Sequence, residues 1–186
     1  MFLKQTLLHP KESGAIAASS RRLADLMVRE AQLADARVIV EVGPGTGVFT
    51  SAILEKKRPE AALHLIEINA DFSKELSVRF PFLPIHTTSA EDIGPLLTQA
   101  GHDGCDRVIS GLPWTAFENG LQERLLGALY EALHPGGVFV TFAYFPLQYL
   151  PNGQAFRHRL ERRFAGVRMT DVVPNIPPAF VYVCTK

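Results

Sequence analysis

The chain has 186 residues, of which 47% are hydrophobic, and it carries 19 basic and 19 acidic side chains. This length and this apolar content are enough for one well-packed domain with a short extension. A formal net charge of zero provides no overall positive field to attract a nucleic acid, so any basic surface must be local.

The first element in chain order is an amphipathic N-terminal segment, too short in its apolar run for a signal peptide or a membrane span. Its apolar side chains fall on one side of a short helix: Phe2, Leu3, Leu7 and Leu8. Basic side chains accompany them: Lys4, Lys11, Arg21, Arg22 and Arg29. We expect residues 1–36 to bind an anionic membrane surface. The alternative is that the segment packs on the sheet or closes over a cofactor.

Five apolar, β-branched runs alternate with helical patterns in the middle of the chain. They predict strands at residues 38–42, 63–68, 83–86, 107–110 and 138–144. Helices are predicted at 48–57, 71–80, 90–99 and 119–133, and the His-Pro-Gly-Gly sequence at 134–137 predicts the end of the last one. Such alternation indicates βαβ units and therefore an open, mostly parallel sheet between helices.

The C-terminal part follows a different pattern. A helix is predicted at 154–163, followed by strands at 166–173 and 179–185 that a proline-rich turn joins. Two strands so close together leave no room for a crossover helix, so they form an antiparallel hairpin at the sheet edge. Residues 37–186 are thus predicted to form one α/β domain, a Rossmann-like sandwich with a seven-stranded sheet.

Two sets of residues could have less specific roles. Four arginines lie on the helix at 154–163: Arg157, Arg159, Arg162 and Arg163. They form either a second membrane-binding face or an ordinary solvated helix surface. Cys105 and Cys184 are too few for a disulfide framework, so we expect two buried thiols in a reducing compartment.

The strongest chemical signal is the glycine loop in the sequence VIVEVGPGTGVFT, where Gly43, Gly45 and Gly47 follow the first strand. Glycines at a strand-to-helix turn let the backbone approach a nucleotide-like ligand. The spacing differs from the dinucleotide fingerprint, and Glu41 beside it would repel a diphosphate but suit a cationic amino acid group. Glu67, after the second strand, is placed to accept the hydroxyls of a ribose.

This constellation resembles the class I S-adenosylmethionine-dependent methyltransferases. The glycine loop, the acidic end of the second strand, the Ser-Ala-Glu-Asp sequence after the third strand and the closing hairpin carry the resemblance. It implies S-adenosyl-L-methionine as cofactor, with S-adenosyl-L-homocysteine as product. It also implies these cofactor contacts: Glu41, Gly43, Gly45, Gly47, Glu67, Ile68, Ala90, Glu91 and Ser110. For Glu91 the alternative is a solvated carboxylate at a helix N-terminus.

Two further segments, FLKQTLLHPKESGAIAASSRRLADLM and SGLPW, look like those of bacterial phospholipid N-methyltransferases. This likeness implies methylation of phosphatidylethanolamine, and of its mono- and dimethyl forms, toward phosphatidylcholine. It implies a cytoplasmic monomer associated peripherally with the inner face of the bacterial membrane. It predicts no metal and no nucleic-acid partner.

Enzymes that dimethylate adenine in ribosomal RNA share the same core and are the main alternative. They carry Asn-Pro-Pro-Tyr or Asn-Leu-Pro-Tyr where this chain has Gly-Leu-Pro-Trp at 111–114. Gly111 takes the place of the asparagine and has no side chain to hold an amino group. The chain is neutral and ends with the sheet, so we expect no RNA-gripping surface. Two more function classes stay open at this point: a small-molecule amine methyltransferase, and a non-enzymatic module that binds the cofactor or a membrane.

Three residues are candidates for the chemical step. Trp114 is predicted to face the cationic headgroup through its ring, although it could instead be a core aromatic that covers the loop. Tyr144 and the backbone near Ser110 would orient the amine for attack on the methyl group. The amine must lose a proton first, which burial favours because it disfavours the charged form. No general base is evident in the sequence.

Overall fold

The computed structural model describes residues 19–186. Six of the predicted membrane-contacting residues therefore lie outside the described residues: Phe2, Leu3, Lys4, Leu7, Leu8 and Lys11. Within the described part, no helix is both long and apolar enough to span a bilayer. Cys105 and Cys184 are buried free thiols, as predicted.

Helices and strands alternate along the described chain. The helices are α1 (Arg21–Ala31), α2 (Val48–Lys56), α3 (Ala70–Arg79), α4 (Ile93–Gln99), α5 (Asn119–Ala132) and α6 (Pro151–Arg163). The strands are β1 (Val38–Val42), β2 (Ala62–Ile66), β3 (Ile85–His86), β4 (Cys105–Ser110), β5 (Leu133–Tyr144), β6 (Gly166–Met169) and β7 (Ala179–Thr185).

The strands form one seven-stranded sheet in the order β3-β2-β1-β4-β5-β7-β6. Strands β1 to β5 are parallel, and β7 runs antiparallel to both β5 and β6. Side chains alternate between two cores, so that Ile39 packs with α1, α2 and α3, while Val40 packs with α4, α5 and α6. The predicted fold class, a Rossmann-like sandwich with an antiparallel C-terminal hairpin, is confirmed.

Helix α1 belongs to this sandwich. Ser20 caps its N-terminus by accepting a hydrogen bond from the Leu23 N–H, and Leu23 and Met27 are fully buried against the sheet. The described part of residues 1–36 therefore packs on the sheet, which was the alternative to membrane contact.

Helix α5 ends at Ala132, as the sequence at 134–137 predicts, and these residues form an irregular part of β5. Leu133 lies opposite Cys105 and Val138 opposite Arg107, so the four residues between them have no register partner on β4, and Gly136 has a φ angle of 75°. The N–H of Gly136 donates to the carbonyl of Lys186, and the N–H of Lys186 donates to Gly137. These two hydrogen bonds thus hold the irregular segment at the end of the sheet.

Smaller differences concern the ends of other elements. The predicted helix at 90–99 consists of a 3-10 turn, Ala90–Asp92, followed by α4. Strand β6 ends at Met169 rather than at 173, and Val173 forms only an isolated bridge with Ala179. Strand β2 ends at Ile66, and the Glu67 N–H still donates to the His86 carbonyl of the neighbouring strand.

Candidate functional site

A cavity of about 350 Å³ opens at the carboxyl ends of the parallel strands. This edge is where open α/β sheets bind their ligands. Seven of the predicted site residues line the cavity: Gly43, Gly45, Glu67, Ile68, Ala90, Trp114 and Tyr144. Four others are not part of its lining: Glu41, Gly47, Glu91 and Ser110.

The glycine loop shapes one wall of the cavity. Gly43, Gly45 and Gly47 have φ angles of 67°, 53° and 78°, in the left-handed region that favours glycine. A β-carbon on Gly45 would meet nothing within 4 Å, whereas one on Gly47 would lie 2.7 Å from Cε2 of Phe80. Gly45 therefore leaves free space beside the loop, and Gly47 allows the loop to pack closely on α3.

Glu67 lies beside this loop with only 6% of its surface exposed. Its Oε2 accepts a hydrogen bond from the Gly45 N–H at 3.1 Å, and its Oε1 accepts one from the Asn69 N–H at 2.9 Å. Burial raises the pKa of this carboxyl, and the backbone donors oppose the rise. A carboxylate has about four lone-pair sites, so Glu67 can still accept hydrogen bonds from two hydroxyls.

Glu41 is fully buried close to Glu67. The Thr50 hydroxyl donates to its Oε2 at 2.7 Å, and no atom of the described residues is a hydrogen-bond partner of its Oε1. Burial raises the pKa of Glu41 to about 8, and the charge of Glu67 adds to the increase. A nearby cation would favour the ionised form, so the pair of carboxyls suits a positively charged group. Because Glu41 does not line the cavity, direct contact with a ligand stays a prediction.

Ser110 is fully buried at the end of β4. Its Oγ accepts hydrogen bonds from the Trp114 Nε1–H at 3.0 Å and from the Leu112 N–H at 3.3 Å. The hydroxyl therefore fixes the loop after β4. In this arrangement Ser110 orients the cavity wall, and its contact with the cofactor stays a prediction.

Trp114 packs mainly against protein, with 2% of its surface exposed. Its ring stacks on Phe156 at a centroid distance of 5.3 Å and contacts Phe117 and Phe139 edge-on. Gln122 holds the same loop, because its Nε2 donates to the Trp114 carbonyl at 2.8 Å. These contacts match the core-aromatic alternative, although Trp114 also lines the cavity. Contact between its ring and a headgroup stays a prediction.

Glu91 does not line the cavity. Its carboxylate pairs with the Nε of Arg124 at 3.3 Å, which matches the surface-carboxylate alternative, and its contact with adenine stays a prediction. Thr88, Ser89 and Ala90 line the cavity instead. Ser89 also accepts a hydrogen bond from the Glu91 N–H at 3.2 Å, which caps the 3-10 turn.

Gly111 is where the glycine loop and the loop after β4 come closest. A β-carbon at this position would lie 2.4 Å from the carbonyl oxygen of Gly43, a contact that requires the backbone to move. The Gly111 N–H also donates to Val42 at 2.9 Å. The absence of an asparagine here therefore allows two cavity-forming loops to touch.

Several lining residues were not predicted to be functional. They are aromatic and aliphatic side chains from helices and from β5: Phe49, Phe72, Leu121, Leu125, Phe142 and Phe156. In the sequence they follow the same apolar pattern as core residues, and Phe49 contacts Phe142 edge-on at 5.8 Å. Their pattern contained no signal that would separate cavity lining from core.

The basic residues on α1 and α6 are largely paired within the protein. Arg21 pairs with Asp25, one turn further along α1, and with Glu55 on α2. Arg22 is exposed. Arg159, Arg162 and Arg163 all pair with Glu123. Among residues 19–186, no Lys or Arg lines the cavity, and no group of His, Cys, Asp and Glu side chains is arranged to hold a metal ion.

Comparison with known proteins identifies the relatives of this chain. No family model matches it. An ornithine lipid N-methyltransferase from Singulisphaera acidiphila is 31% identical over 187 residues, which cover 99% of this chain and 94% of that protein. This chain belongs to the same methyltransferase family. Ribosomal RNA small subunit methyltransferase A from a Synechococcus species is 29% identical, but the match covers 59% of this chain and 39% of that protein.

Solved structures share the fold at lower identity. An O-methyltransferase of tomaymycin synthesis from Streptomyces achromogenes, solved with S-adenosylmethionine, has a TM-score of 0.69 at 20% identity and covers 98% of this chain and 88% of its own. A Bacillus cereus O-methyltransferase, solved with S-adenosylhomocysteine, has a TM-score of 0.70 at 15% identity. The match covers 99% of this chain and 90% of the Bacillus cereus chain. The fold is that of class I methyltransferases. Family and fold together indicate S-adenosyl-L-methionine as the methyl donor of this enzyme.

Proposed function

We propose that this methyltransferase transfers methyl groups to the amine of a membrane lipid headgroup. The observation that carries the proposal is the similarity to a lipid N-methyltransferase along nearly the full length of both chains. The similarity to ribosomal RNA methyltransferases is confined to part of the chain. Peripheral association with the inner face of a cytoplasmic membrane, through residues 1–18, belongs to the same proposal.

The cofactor half of the cavity fits S-adenosylmethionine, which supplies an electrophilic methyl group when bound. Glu67 would accept hydrogen bonds from the ribose hydroxyls, and Ile68 would pack beside them. The backbone around Gly45 leaves the free space for the methionine part. The unpartnered Oε1 of buried Glu41 suits the positive charge of that part, directly or through its neighbour Glu67. Ala90 would contact the adenine edge.

The opposite half of the cavity suits an amine that has lost its proton. Leu112, Phe142 and Phe156 supply apolar surface there, and burial in such surroundings lowers the pKa of an amine. Tyr144 lines the same region, and burial raises the pKa of its phenol, so the hydroxyl stays protonated at neutral pH. It can accept a hydrogen bond from the amine N–H and orient the lone pair toward the methyl group.

Two headgroups meet this description. Phosphatidylethanolamine is the substrate that the sequence resemblance predicts, with stepwise methylation toward phosphatidylcholine. Ornithine lipid is the substrate named for the bacterial relative. Both present a primary amine, and the apolar wall would tolerate the added methyl groups. The proposed substrate class is therefore the lipid amine, with the two headgroups compared directly by experiment.

A parallel assay tests the proposal. Labelled S-adenosylmethionine is offered with vesicles containing phosphatidylethanolamine, vesicles containing ornithine lipid, ribosomal RNA, and the soluble amines ethanolamine and ornithine. We expect label in the lipid extract of at least one vesicle sample, and much less label with the Glu67→Ala variant when S-adenosylmethionine is limiting. Label confined to RNA or to a soluble amine would overturn the lipid assignment.

Adenine dimethylation is the second candidate, and the partial match to ribosomal RNA methyltransferases favours it. The close approach at Gly111 argues against it, because no amide-bearing side chain fits between the two loops without moving the backbone. In the parallel assay, methylated adenine in RNA would establish this candidate.

A further inference from the structure

The turn between β5 and α6 exposes an unusual amount of apolar surface. Residues 144–156 contain no charged side chain, although 20% of the chain is charged. Four of them are exposed: Phe145 by 40%, Leu147 by 40%, Tyr149 by 66% and Leu150 by 54%. We call these four residues the rim surface. Clustered exposed apolar residues of this kind mark a contact with a partner or a membrane.

The rim surface is held in place by the backbone. The Tyr149 N–H donates to the Pro146 carbonyl and the Leu150 N–H to the Leu147 carbonyl, both at 3.1 Å. A β-carbon on Gly153, in the first turn of α6, would lie 2.3 Å from the carbonyl oxygen of Leu147. Close packing against α6 thus presents the apolar side chains in a defined orientation.

The rim surface lies directly beside the mouth of the cavity. Tyr144 lines the cavity and is the residue before Phe145. The Phe145 N–H donates at 2.8 Å to the carbonyl of Pro178, which ends a second uncharged turn. That turn, at 174–178, adds the exposed side chain of Ile176. Two uncharged turns therefore border the opening through which an acceptor enters.

The N-terminal segment joins the fold at the same place. Ser19 lines the cavity, and the Ser20 N–H donates at 2.8 Å to the Asn175 side chain of the second turn. The segment at 1–36, for which the sequence predicts membrane binding, therefore has its first described residues, Ser19 and Ser20, at this opening. The rim surface and the start of the described chain at Ser19 therefore both lie beside the cavity mouth.

Two arginines lie at the opposite end of α6 from the rim surface. The rim surface precedes Pro151, whereas Arg162 and Arg163 lie at the end of this 13-residue helix, about 20 Å away along its axis. Their charges are partly neutralised by Glu123. A membrane contacting these arginines would be remote from the cavity mouth, whereas one contacting the rim surface would be adjacent to it.

We propose that the rim surface is a membrane-docking site that inserts into the headgroup region of a lipid bilayer. This inference rests on the proposed lipid methylation. Leucine, phenylalanine and tyrosine suit this interfacial region, and the lack of charge removes the cost of burying ions there. Docking at the rim brings a headgroup amine to the cavity mouth while the acyl chains remain in the bilayer.

Vesicle sedimentation of the full chain tests the docking site separately from activity. The double variant Leu147→Asp with Tyr149→Asp is compared with the parent on phosphatidylcholine vesicles at physiological salt. We expect at least about a tenfold lower partition coefficient, because two apolar contacts are lost and two charges are added. Methylation of a lipid amine in vesicles should fall in parallel, while methylation of the same lipid dispersed in detergent micelles stays close to that of the parent.

The matched control is Val78→Asp with Phe82→Asp. These two exposed apolar residues lie on or just after α3, which packs beside β3, four strands from β5 in the sheet. The control should sediment like the parent. The milder pair Leu147→Gln with Tyr149→Gln, checked for an unchanged melting temperature, guards against misfolding and should still lower binding.

Specific outcomes would overturn the docking site. Equal vesicle binding by the parent and both rim variants would do so, as would a parent that does not bind vesicles at all. A dimer of the parent that the rim variants dissociate would assign the surface to a second copy of the chain. If detergent-dispersed lipid is not methylated by the parent, the proposed function fails, whatever the sedimentation result.

Discussion

One wall of the cavity is formed mainly by backbone, and the other is formed by packed side chains. The wall at β1 and β2 consists of backbone at the glycine loop and of the buried carboxyl of Glu67, with the fully buried Glu41 close to it. The wall at β4 and β5 consists of side chains such as Trp114 and Tyr144, which come from separate loops and strands. Local backbone geometry defines the first wall, and long-range packing defines the second. The first wall is therefore expected to respond to single contacts, and the second to changes in packing.

The largest effect is expected in the packed wall. Trp114→Ala should lower the free energy of unfolding by about 3–5 kcal/mol, because it removes a buried ring that stacks on Phe156. Trp114→Phe should lose less, since an aromatic ring remains and the loss is limited to the hydrogen bond to Ser110 and the extra volume of the indole. Denaturant unfolding measures both, and lipid turnover should follow the same order. An unfolding free energy for Trp114→Ala equal to that of the parent would show that this wall is not a packed unit.

The next effect tests a single contact in the backbone-built wall. Glu67→Ala should reduce cofactor affinity by about 1.5–3 kcal/mol, as expected for hydrogen bonds to a charged group. Calorimetry with S-adenosylhomocysteine gives the value. Glu91→Ala is the matched control, because Glu91 pairs with Arg124 outside the cavity and its loss should leave affinity unchanged. Unchanged affinity in a folded Glu67→Ala variant would remove Glu67 from the site.

A third change acts where the two walls touch. Gly111→Asn should weaken binding of S-adenosylhomocysteine by about tenfold, or 1.4 kcal/mol, because its β-carbon would displace the carbonyl of Gly43. Gly111→Ala should weaken binding in the same direction, since the clash begins at the β-carbon. We expect neither variant to methylate RNA. Parent-like cofactor affinity in both variants would show that the contact between the walls does not shape the cofactor site.

The smallest expected effect is on the pH dependence of the free energy of unfolding, and it comes from His64 in β2. Burial, with the neighbouring His102 and His86, lowers the pKa of His64 to about 4. The unfolded chain then binds more protons between pH 6.5 and 4, so the free energy of unfolding falls as pH decreases through this window. His64→Gln should reduce the decrease in the free energy of unfolding between pH 7 and pH 5 by roughly 1 kcal/mol. Urea titrations at the two pH values measure it, and an equal loss in both proteins would contradict the assignment.

The backbone-built wall was predictable from sequence, because glycine spacing and a carboxylate after a strand report local geometry. The topology was predictable for a similar reason, since apolar runs and short connections determine parallel pairing. The inclusion of residues 134–137 in β5 shows the limit, because the residue that holds their backbone is Lys186, far away in the chain.

The packed wall was only partly predictable. Tyr144 and Trp114 were identified because they follow strands, but the stacking of Trp114 on Phe156 depends on how α6 returns to the sheet. The family resemblance assigned Glu91 to the cofactor, whereas its side chain pairs with Arg124 on α5. Spacing along one segment does not determine which side chain from another segment will meet it.

The position of β7 in the sheet has a consequence for biosynthesis. This strand lies between β5 and β6, although it is translated after both. Until the ribosome has released Ala179–Thr185, β5 has an unpaired edge and β6 has no neighbour within the sheet. An open strand edge invites pairing with other chains. We therefore expect the nascent chain to be more prone to aggregation before β7 is inserted than after.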